Sequence, residues 1–380
     1  MLSKIEDRLL ASTKQRTVAL VQTQAENAGA QEIARQLADG FEKRGWRTRQ
    51  IFFYRRTKSF DSDRNVFFCA AQRPASAFGV LAVARALYAE LRRTRPDVVL
   101  TLQHYGNIIG APVAKLSGAP LVVANQLSAP QVVPRGVALI DKALGALGAY
   151  DHIVVNSGQT DAAYRAYPAS YARRLAHIDH GFRDKSVALP KREARRRLGL
   201  PQEIPLLGCA ARLHPLKQID LAARLLVENT EQHLALAGQG EERARLAALT
   251  QSLGVGDRVH FLGELGGDQM GAFLAALDCF VFPSAAESFG LAPVEAAQAG
   301  VPVVANDIAV LREVLSVDGA PCALFVEARD TKAFARAVRR VLDDAALRAS
   351  LTTAGQRLSG RYPLDGMIDA YVKLFGARAA

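Results

Sequence analysis

The chain has 380 residues, of which 49% are apolar, with 29 Gly, 16 Pro and a formal net charge of +11. That length calls for two hydrophobic cores rather than one, and the composition excludes a disordered or fibrous protein. No apolar run approaches the ~20 residues of a membrane span, Met1 to Arg16 (with Glu6, Asp7, Arg8 and Lys14) lacks the apolar centre of a secretory signal, and Cys69, Cys209, Cys279 and Cys322 show no paired spacing, so a cytoplasmic protein is expected.

The first half alternates between strand and helix patterns. Thr17–Thr23 reads as a strand. Ile33, Leu37 and Phe41 fall on one face of a helix over 31–44, which Gly45 ends. Trp46–Tyr54 reads as a strand, Phe78–Leu91 as a helix, and Asp97–Leu102 as a parallel strand buried on both faces. Leu121–Ala124 and Tyr150–Asn156 add two more strands. The stretch His177–Leu189 closes this half, and a basic helix, Lys191–Leu198, follows it.

After Pro201 and Pro205 the pattern repeats. The strands are Pro205–Ala210, His233–Ala237, Val259–Leu262, Cys279–Pro283 and Val301–Ala305. Between them run helices ending at Leu226, over Glu241–Leu253, over Met270–Leu277 and over Leu291–Ala299. Such alternation predicts parallel sheets with helical crossovers. In open sheets of this kind ligands sit outside the carboxyl ends of the strands.

Three of those ends carry chemistry. In Pro283–Glu295, PSAAESFGLAPVE, Gly290 allows a tight turn and Pro293 suits the first turn of a helix. A glycine turn feeding a helix presents free amides to a phosphate. Glu287 on the loop and Glu295 on the helix can each accept hydrogen bonds from hydroxyls, although the same pair also fits a solvated loop and helix start. Arg212 and Lys217 follow the strand ending at Ala210, where two cations would neutralise a pyrophosphate; surface charge at a helix start is the alternative. Gly238, in Ala237-Gly238-Gln239-Gly240, permits close backbone approach.

These motifs resemble glycosyltransferase family 4, retaining enzymes of the GT-B fold. The matching residues are Ala211-Arg212-Leu213 with Lys217, Leu236–Gly240, Val259–Gly263, Glu287–Glu295 and Ala299–Val303. They cover roughly residues 205–330, and residues 17–188 match more loosely. The resemblance implies an α/β architecture of two Rossmann-like parallel-sheet domains facing a central cleft. Residues 1–188 would form the acceptor side and 189–360 the nucleotide-sugar domain. Residues 361–380 would hold a helix crossing back to the first domain. It further implies that Arg212 and Lys217 grip the donor diphosphate, Glu295 binds the ribose, and Glu287 contacts the transferred sugar. The amides of Phe289, Gly290 and Leu291 would complete the site with Gly238. No metal or other cofactor is implied beyond a UDP- or GDP-sugar substrate.

The first half departs from the family in two places. The glycine loop after the first strand is reduced to Gly29. Gln126 stands where a histidine is usual, and could only position a substrate. His104, at another strand end, could bind a donor or acceptor hydroxyl, or be a loop histidine bonded to backbone. His180-Gly181 reads as a structural turn. Residues 1–190 carry 26 Lys and Arg against 15 Asp and Glu, while residues 191–380 carry 22 of each. This surplus, which includes Arg64, suits anionic lipid or a phosphorylated substrate, and no nucleic-acid motif accompanies it. Phe52, Phe53, Tyr54, Phe60, Phe67 and Phe68 are expected to shape the acceptor site, or else to be core.

The expected activity is retaining transfer of a hexose or N-acetylhexosamine from a UDP- or GDP-sugar to a hydroxyl acceptor. Polysaccharide, lipopolysaccharide or glycolipid synthesis is the expected setting, with peripheral contact at the inner face of the cell membrane. The alternatives are a soluble small-molecule acceptor or a non-catalytic sugar-nucleotide-binding subunit.

Overall fold

The computed structural model describes residues 15–63 and 65–376. Glu6, Asp7, Arg8, Lys14 and Arg64 lie outside the described residues. The strands of the first sheet are Thr17–Ala25 (β1), Arg47–Arg55 (β2), Val66–Ala70 (β3), Val98–Leu102 (β4), Leu121–Asn125 (β5), His152–Val155 (β6) and Leu175–His177 (β7). They pair in parallel in the order β3-β2-β1-β4-β5-β6-β7. Every residue of β4 and β5 is buried, because helices cover both faces of the sheet. Gly29–Lys43 (α1) covers one face. Ala77–Thr94 (α2), Ala111–Leu116 (α3) and Arg135–Leu147 (α4) cover the other.

The second sheet uses Leu206–Ala210 (β8), His233–Ala237 (β9), Val259–Gly263 (β10), Cys279–Phe282 (β11), Val303–Asn306 (β12) and, after the small hairpin of Ser316–Val317 (β13) and Ala320–Pro321 (β14), Ala323–Val326 (β15). Its order, β10-β9-β8-β11-β12-β15, has the same topology as the first six strands of the other sheet. Ile219–Glu228 (α5) and Leu291–Gln298 (α6) pack on this sheet in one continuous core with Leu207, Phe280 and Val304.

The chain then returns to the first sheet through the helix Leu364–Gly376 (α7). Its Tyr371 and Phe375 rings lie 6.3 and 5.4 Å from Phe41 of α1, and the Tyr371 hydroxyl accepts from Asn125 Nδ2 at 2.5 Å. Burying two such rings stabilises the docking by roughly 1.5–3 kcal/mol each. Arg44 ties the rim through Asp365 at 3.2 Å and Asp369 at 2.6 Å. Where the chain passes between domains, Phe182 pairs with Pro363, so the two connecting segments run side by side.

Of the aromatics of residues 52–68, Phe52, Phe53, Tyr54 and Phe60 are core, and Phe67 and Phe68 on β3 are half-buried against it. β3 makes this region a sheet edge, and neighbouring residues on a strand point to opposite faces. Phe52 packs on Phe60 at 4.7 Å and Phe68 at 5.8 Å, while Phe53 joins the core on the other side. The strand patterns of β3, β7 and β15 were masked by their short length and by flanking arginines and glycines.

Candidate active site

The strand order of the parallel second sheet reverses between β8 and β11, so the loops that follow them open side by side. They are also stitched together. Ala285 N donates to Leu216 O at 2.9 Å, and Ser284 Oγ donates to the same oxygen at 3.3 Å. Asn306 Nδ2, from the end of β12, holds Ser284 O at 3.0 Å. The result brings Lys217 Nζ within 2.5 Å of Glu287 Oε1. Arg212, on the same loop as Lys217, is exposed. Gly238 and Gly240 let this loop lie close against the end of β9, since a Cβ at either would collide with the carbonyl oxygen of Ala211 or Leu213.

Phe289 anchors the next turn. Its buried ring sits 5.0 Å from His180, 5.6 Å from Phe182 and 5.2 Å from Tyr362. Burial pushes the His180 imidazole down to about 3, so it packs there as a neutral ring. Gly290 then adopts φ 97° and α6 begins at Leu291 with no side chain capping it. Its first amides remain available to an anion, reinforced by the helix dipole. The other domain grips the same turn: Ser288 Oγ donates to Leu127 O at 2.9 Å, and Ser157 Oγ donates to Ser288 O at 2.8 Å.

Glu295, on the second turn of α6, is buried. Burial raises its carboxyl above the usual range, and Glu32 of α1 adds to that, while Lys185 pulls in the opposite direction. Lys185 Nζ lies 2.6 Å from Glu295 Oε1. The segments around this switch point therefore carry two lysine–carboxylate pairs, an exposed arginine and an uncapped helix start. That set suits a diphosphate flanked by hydroxyl-bearing groups.

Residues 190–358 match the family described as glycosyl transferases group 1. This part of the chain resembles that family. The chain is 33% identical over 213 residues to a D-inositol 3-phosphate glycosyltransferase of Salinispora arenicola, covering 53% of this chain and 46% of that protein. It is 32% identical over 211 residues to the lipopolysaccharide core biosynthesis mannosyltransferase LpsB of Rhizobium meliloti, covering 51% and 56%. It thus spans about half the length of the curated relatives it matches. The crystal structure of Anabaena HepE in complex with UDP and glucose superposes with a TM-score of 0.82 at 18% identity, covering 96% of this chain and all of that one. The two-sheet layout is the GT-B fold.

The second domain meets the first domain closely at the predicted acceptor side. Gly29, the first residue of α1, faces Leu291 of α6, and a Cβ there would fall 2.7 Å from Leu291 Cδ1. Asn27 N donates to Glu264 Oε1 at 2.6 Å and Ser59 Oγ to the same atom at 3.2 Å. His104 sits at the switch point of the first sheet, just after β4 and before a π-helical turn, Gly106–Gly110. Burial lowers its pKa, its Nδ1 has no hydrogen-bond partner, and the preceding Gln103 takes φ 66° with an unpartnered Oε1.

Gln126 differs from its expected place beside the sugar. It is buried and fully engaged inside the first domain. Its Nε2 donates to Asp141 Oδ1 and Oδ2 at 2.9 and 3.0 Å, and its Oε1 accepts from Asn107 at 3.2 Å and from Tyr164 at 3.3 Å. A side chain with both polar ends committed has nothing left for a substrate hydroxyl.

Sequence reasoning missed Lys185 and Glu264, because no spacing links either to its partner in another element. It also missed a cationic surround of Tyr54. Burial raises that hydroxyl's pKa, and Arg73, Arg56 and Arg212 oppose the shift, so cations from both domains border it. Among the described residues no three His, Cys, Asp or Glu side chains are grouped as a metal ion would require.

Proposed function

We propose that this protein is a retaining glycosyltransferase that moves a hexose or N-acetylhexosamine from a UDP- or GDP-sugar to a hydroxyl acceptor. The observation that supports this reading is that the loop bearing Arg212 and Lys217 follows β8 and the uncapped start of α6 follows the neighbouring β11, at the switch point of the second sheet. Three positive features there fit a diphosphate leaving group, and they act more strongly as charge accumulates on it.

In the reaction, the bond between the anomeric carbon and the diphosphate oxygen breaks. The acceptor oxygen bonds to the same face of that carbon, and its proton passes to the departing phosphate oxygen. Arg212, Lys217 and the amides of Phe289, Gly290 and Leu291 hold the leaving group. Glu295 accepts from the ribose hydroxyls, Glu287 orients both Lys217 and the sugar, and Gly238 keeps the Arg212 loop in place. Gly29 and His104 border the acceptor.

The acceptor belongs to polysaccharide, lipopolysaccharide or glycolipid synthesis. The Rhizobium meliloti relative, named for lipopolysaccharide core biosynthesis, supports that setting, as does the charge surplus of residues 1–190. Peripheral contact with the inner face of the cell membrane is part of the same reading.

A screen of UDP- and GDP-sugars for nucleotide release, with mass spectrometry of products on candidate acceptors, tests the proposal. Release that requires both a donor and a hydroxyl acceptor supports it. Absence of binding and of release with every donor overturns it.

A further inference from the structure

Each domain closes its own apolar core, so contact across the cleft depends largely on polar bonds, as between domains that open and shut. Two carboxylates of the second domain reach over it. Glu264, directly after β10, accepts from Asn27 N at 2.6 Å and Ser59 Oγ at 3.2 Å, which follow β1 and β2. Glu313, on the helix Ala309–Val314 after β12, accepts from Gly158 N at 2.6 Å with Oε1 and from Gln159 N at 2.9 Å with Oε2. Those two amides open the helix Gly158–Arg165, which follows β6, and Ser157 Oγ takes a third, Thr160 N, at 3.2 Å. A carboxylate in that place meets both the free amides and the positive end of the helix dipole.

The two carboxylates stand on opposite sides of the cleft, because β10 is one edge of the second sheet and β12 lies beyond β11 on the other side. Each is joined to a different half of the candidate site. Beside Glu264, Gly263 O accepts from Gly238 N at 2.6 Å, and Gly238 lies against the carbonyl of Ala211, the neighbour of Arg212. Two residues before Glu313, Leu311 packs on the turn that starts α6, where a Cβ on Gly290 would fall 2.7 Å from Leu311 Cδ2. Arg361 Nη1 donates to Glu313 O at 2.9 Å, fixing that helix to the segment leading into α7. Shutting the cleft therefore sets the Arg212 loop from one side and the start of α6 from the other.

We propose that Glu264 and Glu313 are positioning residues that latch the two domains shut and, through Gly238 and Leu311, hold the Arg212 loop and the first turn of α6 in their working places. The reaction they serve rests on the transferase reading above; the latching itself does not.

The two latches answer differently to the same isosteric change. Both oxygens of Glu313 accept from backbone amides, so in Glu313→Gln the side-chain NH2 must face an N–H and the clasp is broken. Glu264 uses Oε1 alone, so Glu264→Gln keeps its bonds and Glu264→Ala loses them. Small-angle scattering of the full chain, with and without UDP or GDP, tests the proposal together with nucleotide release from the matching sugar donor. Glu313→Gln and Glu264→Ala should each show a larger radius of gyration than the parent, and a turnover lower by about tenfold to a hundredfold. Nucleotide affinity should change far less, and Glu264→Gln should match the parent in every reading. Parent-like scattering in both broken variants overturns the proposal, as does a loss in Glu264→Gln equal to that in Glu264→Ala. Turnover that falls without any change in scattering overturns it too. Variants that open as described in a chain that binds neither nucleotide would keep the latches and remove the transferase reading.

Discussion

Lys185 Nζ stands 2.6 Å from Glu295 Oε1, joining the segment between the domains to α6. Glu32, with Arg35 beside it, faces the same lysine from α1. Both carboxylates thus depend on one ammonium group contributed by neither domain's sheet. Burial raises the Glu295 carboxyl above its ordinary value, and Lys185 opposes that rise.

The consequence is a pH dependence of donor binding. An ionised Glu295 accepts hydrogen bonds, so affinity holds above its pKa and falls below it. Removing Lys185 removes the influence that lowers that pKa, so the fall should move to higher pH. Lys185→Met is expected to bind UDP or GDP more weakly near neutral pH than the parent, and to regain affinity as pH rises. Lys185→Arg should restore the parent profile. Calorimetric titration across pH 5 to 9 (about that range) reads the shift.

Arg212→Ala should slow transfer more than it weakens substrate binding, because the charge on the leaving diphosphate grows in the transition state. A loss of about 10²–10³ in kcat is the expected size. Lys217→Ala should behave alike and also leave Glu287 without its 2.5 Å partner. Steady-state kinetics with a saturating acceptor separate kcat from KM.

Gln126→Ala is expected to act on stability. It leaves Asp141 with Tyr150 and Tyr171 as its remaining side-chain donors, in a place where burial already raises its pKa. Unfolding in urea should show a loss of about 1–3 kcal/mol. Donor affinity should stay at the parent value.

Gly240→Ala should damage the donor site from a distance. Its Cβ would meet the Leu213 carbonyl directly, so the loop bearing Arg212 must shift. A rise of KM for the donor of about tenfold or more, with little change in melting temperature, is the expected signature.

Much of this was legible in the sequence where chemistry and periodicity coincided. Glycine and proline punctuation located α6 at Leu291, and apolar runs located β4 and β8 to within a residue. Strands such as β3 were not legible, because arginines flank it and only pairing with β2 fixes it. The fate of Gln126 was also hidden. Its loop position invites a substrate role, and only the fold brings Asp141, Tyr164 and Tyr171 around it. Pairs such as Lys185 with Glu295 depend on how two domains and a linker meet, which no local pattern encodes.

The most direct measurement is calorimetric binding of UDP and GDP to the parent, Arg212→Ala and Glu295→Gln. One of the two nucleotides should bind the parent, with affinity at least about fivefold lower in each variant, corresponding to ~1 kcal/mol or more. Failure of both nucleotides to bind the parent, or parent-like affinity in both variants, would contradict a diphosphate site between β8 and β11.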